Sequence, residues 1–222
     1  MTAGQPPAPP ATMAAQCTSS TAPATSPLPQ PILTTKRLIV RALHPQDRLS
    51  MSLNANDPLI TKYMSNSFPH PYTLSAADAW IAINVTKSLQ ENFGICEKDS
   101  PEVMIGGIGL KPGADVSSHT AEVGFWIGQR YWGKGYMTEA LEGFTRWMFL
   151  NNEAARSRTT RLCGHIFGGN VASMRCFDKC GYMREGVLKG HCEKKGEVMD
   201  MHIFGLVKAD WEARNSTVFN NY

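Results

Sequence analysis

The chain has 222 residues, 42% of them hydrophobic and 18% charged, which is the size and balance of one folded domain with its own core. Its net charge of +3 is mild and no basic run or basic helix face stands out, so the charge pattern gives no nucleic-acid footprint. No apolar stretch is long enough to span a bilayer, and six scattered cysteines without a signal peptide read as reduced thiols in a cytoplasmic protein. A zinc site would have to recruit Cys163, His165, Cys176, Cys180, His191 and Cys192, but no C-x-x-C pair exists, and no metal is expected.

Residues 1–31 are rich in Pro, Ala, Thr, Ser and Gln, and no charged side chain appears before Lys36. Such a segment cannot bury enough apolar surface to offset its ordering entropy, and it is expected to be a disordered tail. It lacks the basic start and apolar block of a signal peptide and the arginines of a mitochondrial presequence. Leu33–Arg41 reads as the first strand. Pro45 opens a helix to about Asn56, and a short helix follows from Pro58 to Met64. The loop Ser65–Tyr72 holds Phe68, Pro69, His70, Pro71 and Tyr72, which either wall a site or pack on the core. A longer helix starts near Ser75 and carries Ala79, Ile81, Ile83, Val85 and Leu89. Asn92–Glu97 and Val103–Leu110 read as two strands joined at Lys98–Pro101. The glycines of Met104–Leu110 mark a bulge or a group pressed close to the strand.

The central stretch is Ala121–Asn152. Val123, Phe125 and Ile127 alternate against Glu122, Gly124 and Trp126, and then Gly128–Gly135 makes a glycine-punctuated basic turn. The stripe Met137, Ala140, Leu141, Phe144, Trp147 and Met148 follows at helical spacing. Strand, turn and helix in this order aim backbone N–H groups and the positive end of a helix dipole at one point, which suits a phosphate. The turn nearly matches a nucleotide P-loop, but Gly135 stands where that loop needs a Ser or Thr for magnesium. After a connector at Asn151–Thr160, Arg161–Phe167 reads as a strand. Asn170 caps a helix that stops at Gly181. Tyr182–Leu188 and Val198–Val207 form a hairpin around Lys194-Lys195-Gly196, and the tail after Trp211 carries no signal.

Three runs then share a resemblance. Arg130-x-x-Gly133-x-Gly135 is similar to the pyrophosphate-binding signature of the GNAT superfamily of acetyl-CoA-dependent N-acetyltransferases. Leu33-x-Thr35-x-Arg37-Leu38-x-x-Arg41 resembles the opening strand of the GNAT branch containing the ribosomal-protein N-terminal-alanine acetyltransferases. Asn170-x-x-Ser173-x-Arg175-x-x-x-Lys179-x-Gly181-Tyr182 resembles the last helix of that branch, and Asp200–Leu206 its closing strand. The resemblance covers Leu33 to Leu206 in the family's order. It implies an α+β fold: a mixed, mostly antiparallel sheet of about seven strands, flanked by helices and splayed between the strands ending near Ile127 and Phe167. The expected layout is a tail over residues 1–31, an N-acetyltransferase domain over 32–212 and a C-terminal tail over 213–222. The implied co-substrate is acetyl-CoA, and the partner is a primary amine, either a small molecule or a protein N-terminus. The chain is expected to be a monomer or homodimer, with no membrane and no nucleic-acid partner.

The resemblance also implies roles. Arg130, Tyr131, Trp132, Gly133, Lys134, Gly135 and Tyr136 form the pyrophosphate cradle, and Phe125, Trp126 and Ile127 pair with the pantetheine arm. Asn170 hydrogen-bonds that arm, caps its helix, or does both. Glu122 is the candidate general base, and its bland alternative is a salt bridge. Many family members carry a Tyr seven residues after the Asn to protonate the leaving thiolate, but here that residue is Phe177. Ser173 is the nearer hydroxyl, either at the sulfur or bonded to its own helix backbone. The missing Tyr keeps a second reading open, a non-catalytic acyl-CoA-binding protein. Phe68, Tyr72, Trp80 and Trp126 favour a compact acceptor.

Overall fold

The run Leu33–Arg41, expected as one strand, is two: β1 (Pro31–Thr34) and β2 (Leu38–Ala42), paired antiparallel with Thr34 opposite Ile39. Thr35 closes the corner. Its N–H donates to the Leu38 carbonyl at 2.9 Å, and its hydroxyl oxygen accepts from Leu38 N at 3.0 Å. The structure, a computed structural model, describes residues 26–150 and 158–219. Most of the expected disordered tail and much of the Asn151–Thr160 connector lie outside the described residues.

A 3-10 turn at Pro45–Asp47 leads into α1 (Arg48–Ala55), and α2 (Pro58–Thr61) is a single turn. Helix α3 (Leu74–Val85) starts one residue before Ser75, capped by Thr73, whose hydroxyl accepts from Ala76 N at 3.1 Å. It ends before Leu89. Strands β3 (Asn92–Glu97), β4 (Ser100–Pro112) and β5 (Thr120–Ile127) then form an antiparallel meander. Helix α4 (Tyr136–Leu150), β6 (Arg161–Phe167) and α5 (Val171–Lys179) follow. The hairpin β7 (Met183–Lys194) and β8 (Glu197–Val207) is longer than its sequence signal. It turns at Lys195 and Gly196, both at positive φ. Helix α6 (Lys208–Phe219) runs through residue 212, where the sequence carried no element. No helix among the described residues is long and apolar enough to cross a membrane.

The sheet has eight strands in the order β1-β2-β3-β4-β5-β6-β8-β7, one more than expected because the first strand divides. Only β5 and β6 are parallel. They pair over Thr120–Glu122 and Arg161–Cys163 and then part, although each continues for several residues. The alternation of β5 explains the two layers. Val123 and Ile127 join the large core with Leu141, Phe144, Phe149, Leu162, Phe204 and Trp211. Trp126, on the opposite face, packs with Met51, Tyr72, Ile81 and Met104 under α1 and α3. The helical stripe on α4 is buried as spaced, with Thr145 and Phe149 widening it and Trp147 only half-buried. Each fully buried Leu or Phe here contributes about 1.5–3 kcal/mol.

Two glycines of β4 make room for β5. A Cβ on Gly107 would lie 2.7 Å from the Trp126 indole nitrogen, and one on Gly106 2.5 Å from the Trp126 carbonyl oxygen. The glycine-rich strand is therefore a close approach, as its sequence suggests. Phe177 sits where β5 and β6 part. Its ring stacks on Phe125 at 5.5 Å, and a Cβ on Gly164 would meet it at 2.3 Å.

Candidate active site

The glycine turn after β5 has the form its sequence predicts. A 3-10 turn at Gln129–Tyr131 is followed by Gly133 and Gly135 at φ of +72° and +77°, in the left-handed region that side-chained residues rarely adopt. Tyr131 N and Trp132 N bond back to Gly128 and Gln129 carbonyls. Among the described residues, no backbone hydrogen bond takes up the N–H groups of Gly133, Lys134, Gly135 or Tyr136. These donors stand at the N-terminus of the 15-residue helix α4. Open donors, two glycines without Cβ and a helix dipole make a cradle for an anion.

The turn is held from two sides. Arg130 donates from Nε and Nη2 to Asn54 Oδ1 at 3.0 and 2.8 Å, tying the turn to buried Asn54 of α1. Asn54 in turn donates to the Met104 carbonyl at 2.8 Å. From the other side Arg37, in the β1–β2 corner, donates from Nη1 to the Lys134 carbonyl at 3.0 Å and covers the Tyr136 ring at 4.4 Å. Glu139 of α4 anchors that corner. It accepts from the Thr35 hydroxyl, Arg37 N and Arg37 Nε, each at 2.7 Å. Burial alone would raise the Glu139 carboxyl, but Thr35 and Arg37 together outweigh it and hold the group below the usual carboxylate range. A depressed carboxylate adds stability above its unfolded pKa of about 4.3 and loses it as pH falls through the folded value. Glu139→Gln is therefore expected to be less stable than the parent at neutral pH, and the gap is expected to narrow on acidification below pH ~4. Urea midpoints measured across that pH range check this.

Two cavities flank the point where β5 and β6 separate. One, of about 610 Å³, is bounded by the glycine turn, Phe125–Ile127 and the first turns of α4 and α5. Tyr131, Trp132, Gly133, Gly135 and Tyr136 line it. The other, of about 670 Å³, lies under α1, α3 and the loop 63–69, against the Glu122, Gly124 and Trp126 face of β5. Phe125, Trp126, Asn170 and Ser173 border both, so the cavities meet at the splay.

The structure thus brings together most of the residues singled out from the sequence. Asn170 caps α5 by accepting from Ser173 N at 3.2 Å while lining both cavities. Arg130 and Lys134 are on the turn but off the cavity lining. Arg130 is engaged with Asn54, and the Lys134 ammonium lies 5.4 Å from the Tyr131 ring centre. Glu122 faces the larger cavity. Its Oε2 is 3.2 Å from His165 Nδ1 and 3.8 Å from Lys111 Nζ. His165 is exposed in this cavity rather than packed, and nothing in its local sequence sets it apart. Phe177 is buried and presents only ring carbon. The nearby Tyr182 is no substitute, because its hydroxyl is buried against Thr145 Oγ1 at 2.8 Å and burial pushes its pKa up. No group of three or more His, Cys, Asp or Glu among the described residues is arranged to hold a metal.

Known proteins are similar to this chain in sequence and fold. The family profile "Acetyltransferase (GNAT) domain" matches residues 37–183. An uncharacterized N-acetyltransferase p20 of Bacillus licheniformis is 29% identical over 181 residues, covering 81% of this chain and 97% of that one. A [ribosomal protein uS5]-alanine N-acetyltransferase of Escherichia coli (strain K12) is 27% identical over 189 residues, covering 83% and 94%. The solved structure of the microcin C7 self-immunity acetyltransferase MccE, in complex with acetyl-CoA and AMP, superposes with a TM-score of 0.66 at 18% identity, covering 83% and 98%. With the profile matching well over half of the sequence, and with the splayed sheet and glycine turn in place, this chain belongs to the GNAT acetyltransferase family.

Proposed function

We propose that this protein is an acetyl-CoA-dependent N-acetyltransferase that moves an acetyl group to a primary amine by direct attack on the thioester. The observation that carries the reading is the meeting of the two cavities at the β5–β6 splay. One of them ends at an open N–H cradle, and the other holds a carboxylate. Acetyl-CoA supplies an activated acyl group.

The residues present fit that co-substrate. The N–H groups from Gly133 to Tyr136 suit the pyrophosphate, backed by the α4 dipole. The edge of β5 from Val123 to Ile127 that faces β6 has no strand partner among the described residues, so it suits the amide-rich pantetheine arm. An N–H on that edge is the candidate donor to the thioester oxygen. Asn170 and Ser173 line the shared zone, and the Ser173 hydroxyl is the candidate hydrogen-bond partner of the sulfur.

The amine enters from the larger cavity. A free ammonium near pKa ~10 is mostly inert at neutral pH and has to lose a proton. Glu122 takes that proton, directly or through one water, and the adjacent His165 orients the carboxylate. Phe177 leaves the thiolate without an acid at that position. A thiol near pKa ~8.5 leaves adequately without one.

Thiol release from acetyl-CoA is the test, run against peptides, polyamines, amino acids, aminoglycosides and simple amines. Release that requires an amine supports transfer. Coenzyme A binding with no amine-dependent release would favour the second reading, an acyl-CoA-binding protein, for which buried Phe177 is the specific observation.

A further inference from the structure

We infer that the acceptor is a primary amine with a single positive charge on a flat, apolar body, rather than a polyamine, an aminoglycoside or a peptide N-terminus. This rests on the acetyltransferase reading of the same site.

The charge inventory of the larger cavity carries the first half. Glu122, Lys111 and His165 are its only Asp, Glu, Lys, Arg or His side chains among the described residues. Glu122 is thus the one carboxylate, and it already faces Lys111 and His165. A polyamine or aminoglycoside brings two or more ammonium groups out of water. The second would find no anion here and would lie near Lys111 instead. Burying an unpaired charge is strongly unfavourable, so such acceptors are disfavoured. Tyr72, whose phenol burial pushes up to about 12, adds no anion.

The walls carry the second half. Phe68 lies against Tyr72 at 4.9 Å between ring centres and edge-on to Trp126 at 6.2 Å. Met51 and Met104, both buried, add to the apolar lining. On the α3 side the wall continues into exposed apolar residues, Trp80 at 40% and Ile83 at 55% exposure. Exposed apolar side chains that continue a cavity wall mark a surface for an apolar ligand. Aromatic faces also attract the one ammonium. A peptide N-terminus would need partners for its backbone amides along the path out; the α3 wall of Ala76, Ala79, Trp80 and Ile83 offers carbon, and the polar side chains Tyr63, Ser65, Ser67 and Asn92 belong to the loop 63–69 and β3 instead. Between Glu122 and Trp126, Gly124 leaves open space: a Cβ there would meet nothing within 4 Å. A flat group fits against the bare strand.

The experiment uses the full-length protein with saturating acetyl-CoA and four probes: 2-phenylethylamine, spermidine, an aminoglycoside and an alanyl tripeptide amide. Thiol release is expected to favour 2-phenylethylamine in kcat/KM by about 10- to 200-fold, the range a hydrophobic pocket gives. Trp80→Ala is expected to raise its KM about tenfold with little change in kcat, as loss of uniform binding does. Calorimetric binding of 2-phenylethylamine to the coenzyme A-loaded protein is expected to weaken in parallel, and an unchanged unfolding temperature shows that the variant folds. A preference for spermidine, the aminoglycoside or the peptide overturns this inference and leaves acetyl transfer standing. An unchanged KM in Trp80→Ala also overturns it. Silence with every amine overturns the reading of the site, and this inference with it.

Discussion

Glu122→Gln is expected to lower kcat/KM by about 100-fold or more at neutral pH while leaving coenzyme A affinity the same, since a positioned general base contributes typically 10²–10⁴. Glu122 is the last residue of β5 paired with β6, opposite Cys163, so its backbone is fixed where the strands begin to part. Its side chain lines the larger cavity and not the one bounded by the glycine turn. Glutamine has nearly the same shape and can keep its place beside His165 Nδ1, so the substitution removes charge and basicity and little else. The pH profile distinguishes a base from a mere partner. As pH rises toward the amine's own pKa of ~10, solvent deprotonates the acceptor and the variant's deficit shrinks. Steady-state rates from pH 7 to 9.5, with coenzyme A titrated separately, are the measurement. Full activity of the variant at pH 7 would reduce Glu122 to a structural partner of His165 and Lys111.

What the sequence reveals of this site and what it hides follow from distance along the chain. The β5–turn–α4 unit is legible because the change of period and the two glycines lie within one stretch. Asn170 and Gly181 are legible as helix start and stop for the same reason. The β1–β2 corner is not, because Thr35-Lys36-Arg37 contains no Gly, Pro or Asn and its turn is made by a threonine hydroxyl. The braces of the phosphate turn are hidden more deeply. Arg37 and Glu139 are 102 residues apart, and Asn54 and Arg130 are 76 apart, so no spacing rule connects them. Arg37 and Arg130 both appear in the motifs, yet a motif does not say what an arginine touches. The structure engages Arg130 with an amide, where a phosphate contact is the natural expectation. A lone strand histidine is usually packing, so the local sequence around His165 gives no signal of a site. Its pairing with Glu122 spans the parallel β5–β6 junction, which comes into being only when the sheet forms. Helix α6 has a weak pattern of its own, and Trp211 resting on Phe149 at 5.6 Å marks its tertiary anchorage.

The largest expected stability effect lies away from the chemistry. Arg41 is fully buried, and its guanidinium forms a two-pronged pair with Asp47, Nη1 to Oδ2 at 2.9 Å and Nη2 to Oδ1 at 2.6 Å. The remaining donors go to carbonyls, Nε and Nη2 to Pro101 at 3.1 and 3.0 Å and Nη1 to Ala42 at 3.0 Å. Asp47 Oδ2 also accepts from His44 N at 2.8 Å, which starts the 3-10 turn before α1. One ion pair therefore joins β2, the β3–β4 corner and the first helical segment. Removing one partner strands the other charge in the core. Asp47→Ala is expected to cost about 3–5 kcal/mol, a large share of the 5–15 kcal/mol that stabilises a typical domain. Arg41→Met combined with Asp47→Leu removes both charges, and paired apolar replacement is often neutral. The double variant is thus expected to be more stable than Asp47→Ala, an ordering that simple loss of contacts would not produce. Urea unfolding of the parent, the single and the double variant measures it. A single-variant loss below about 1 kcal/mol, the scale of an exposed pair, would mean that water reaches Arg41 once Asp47 is gone.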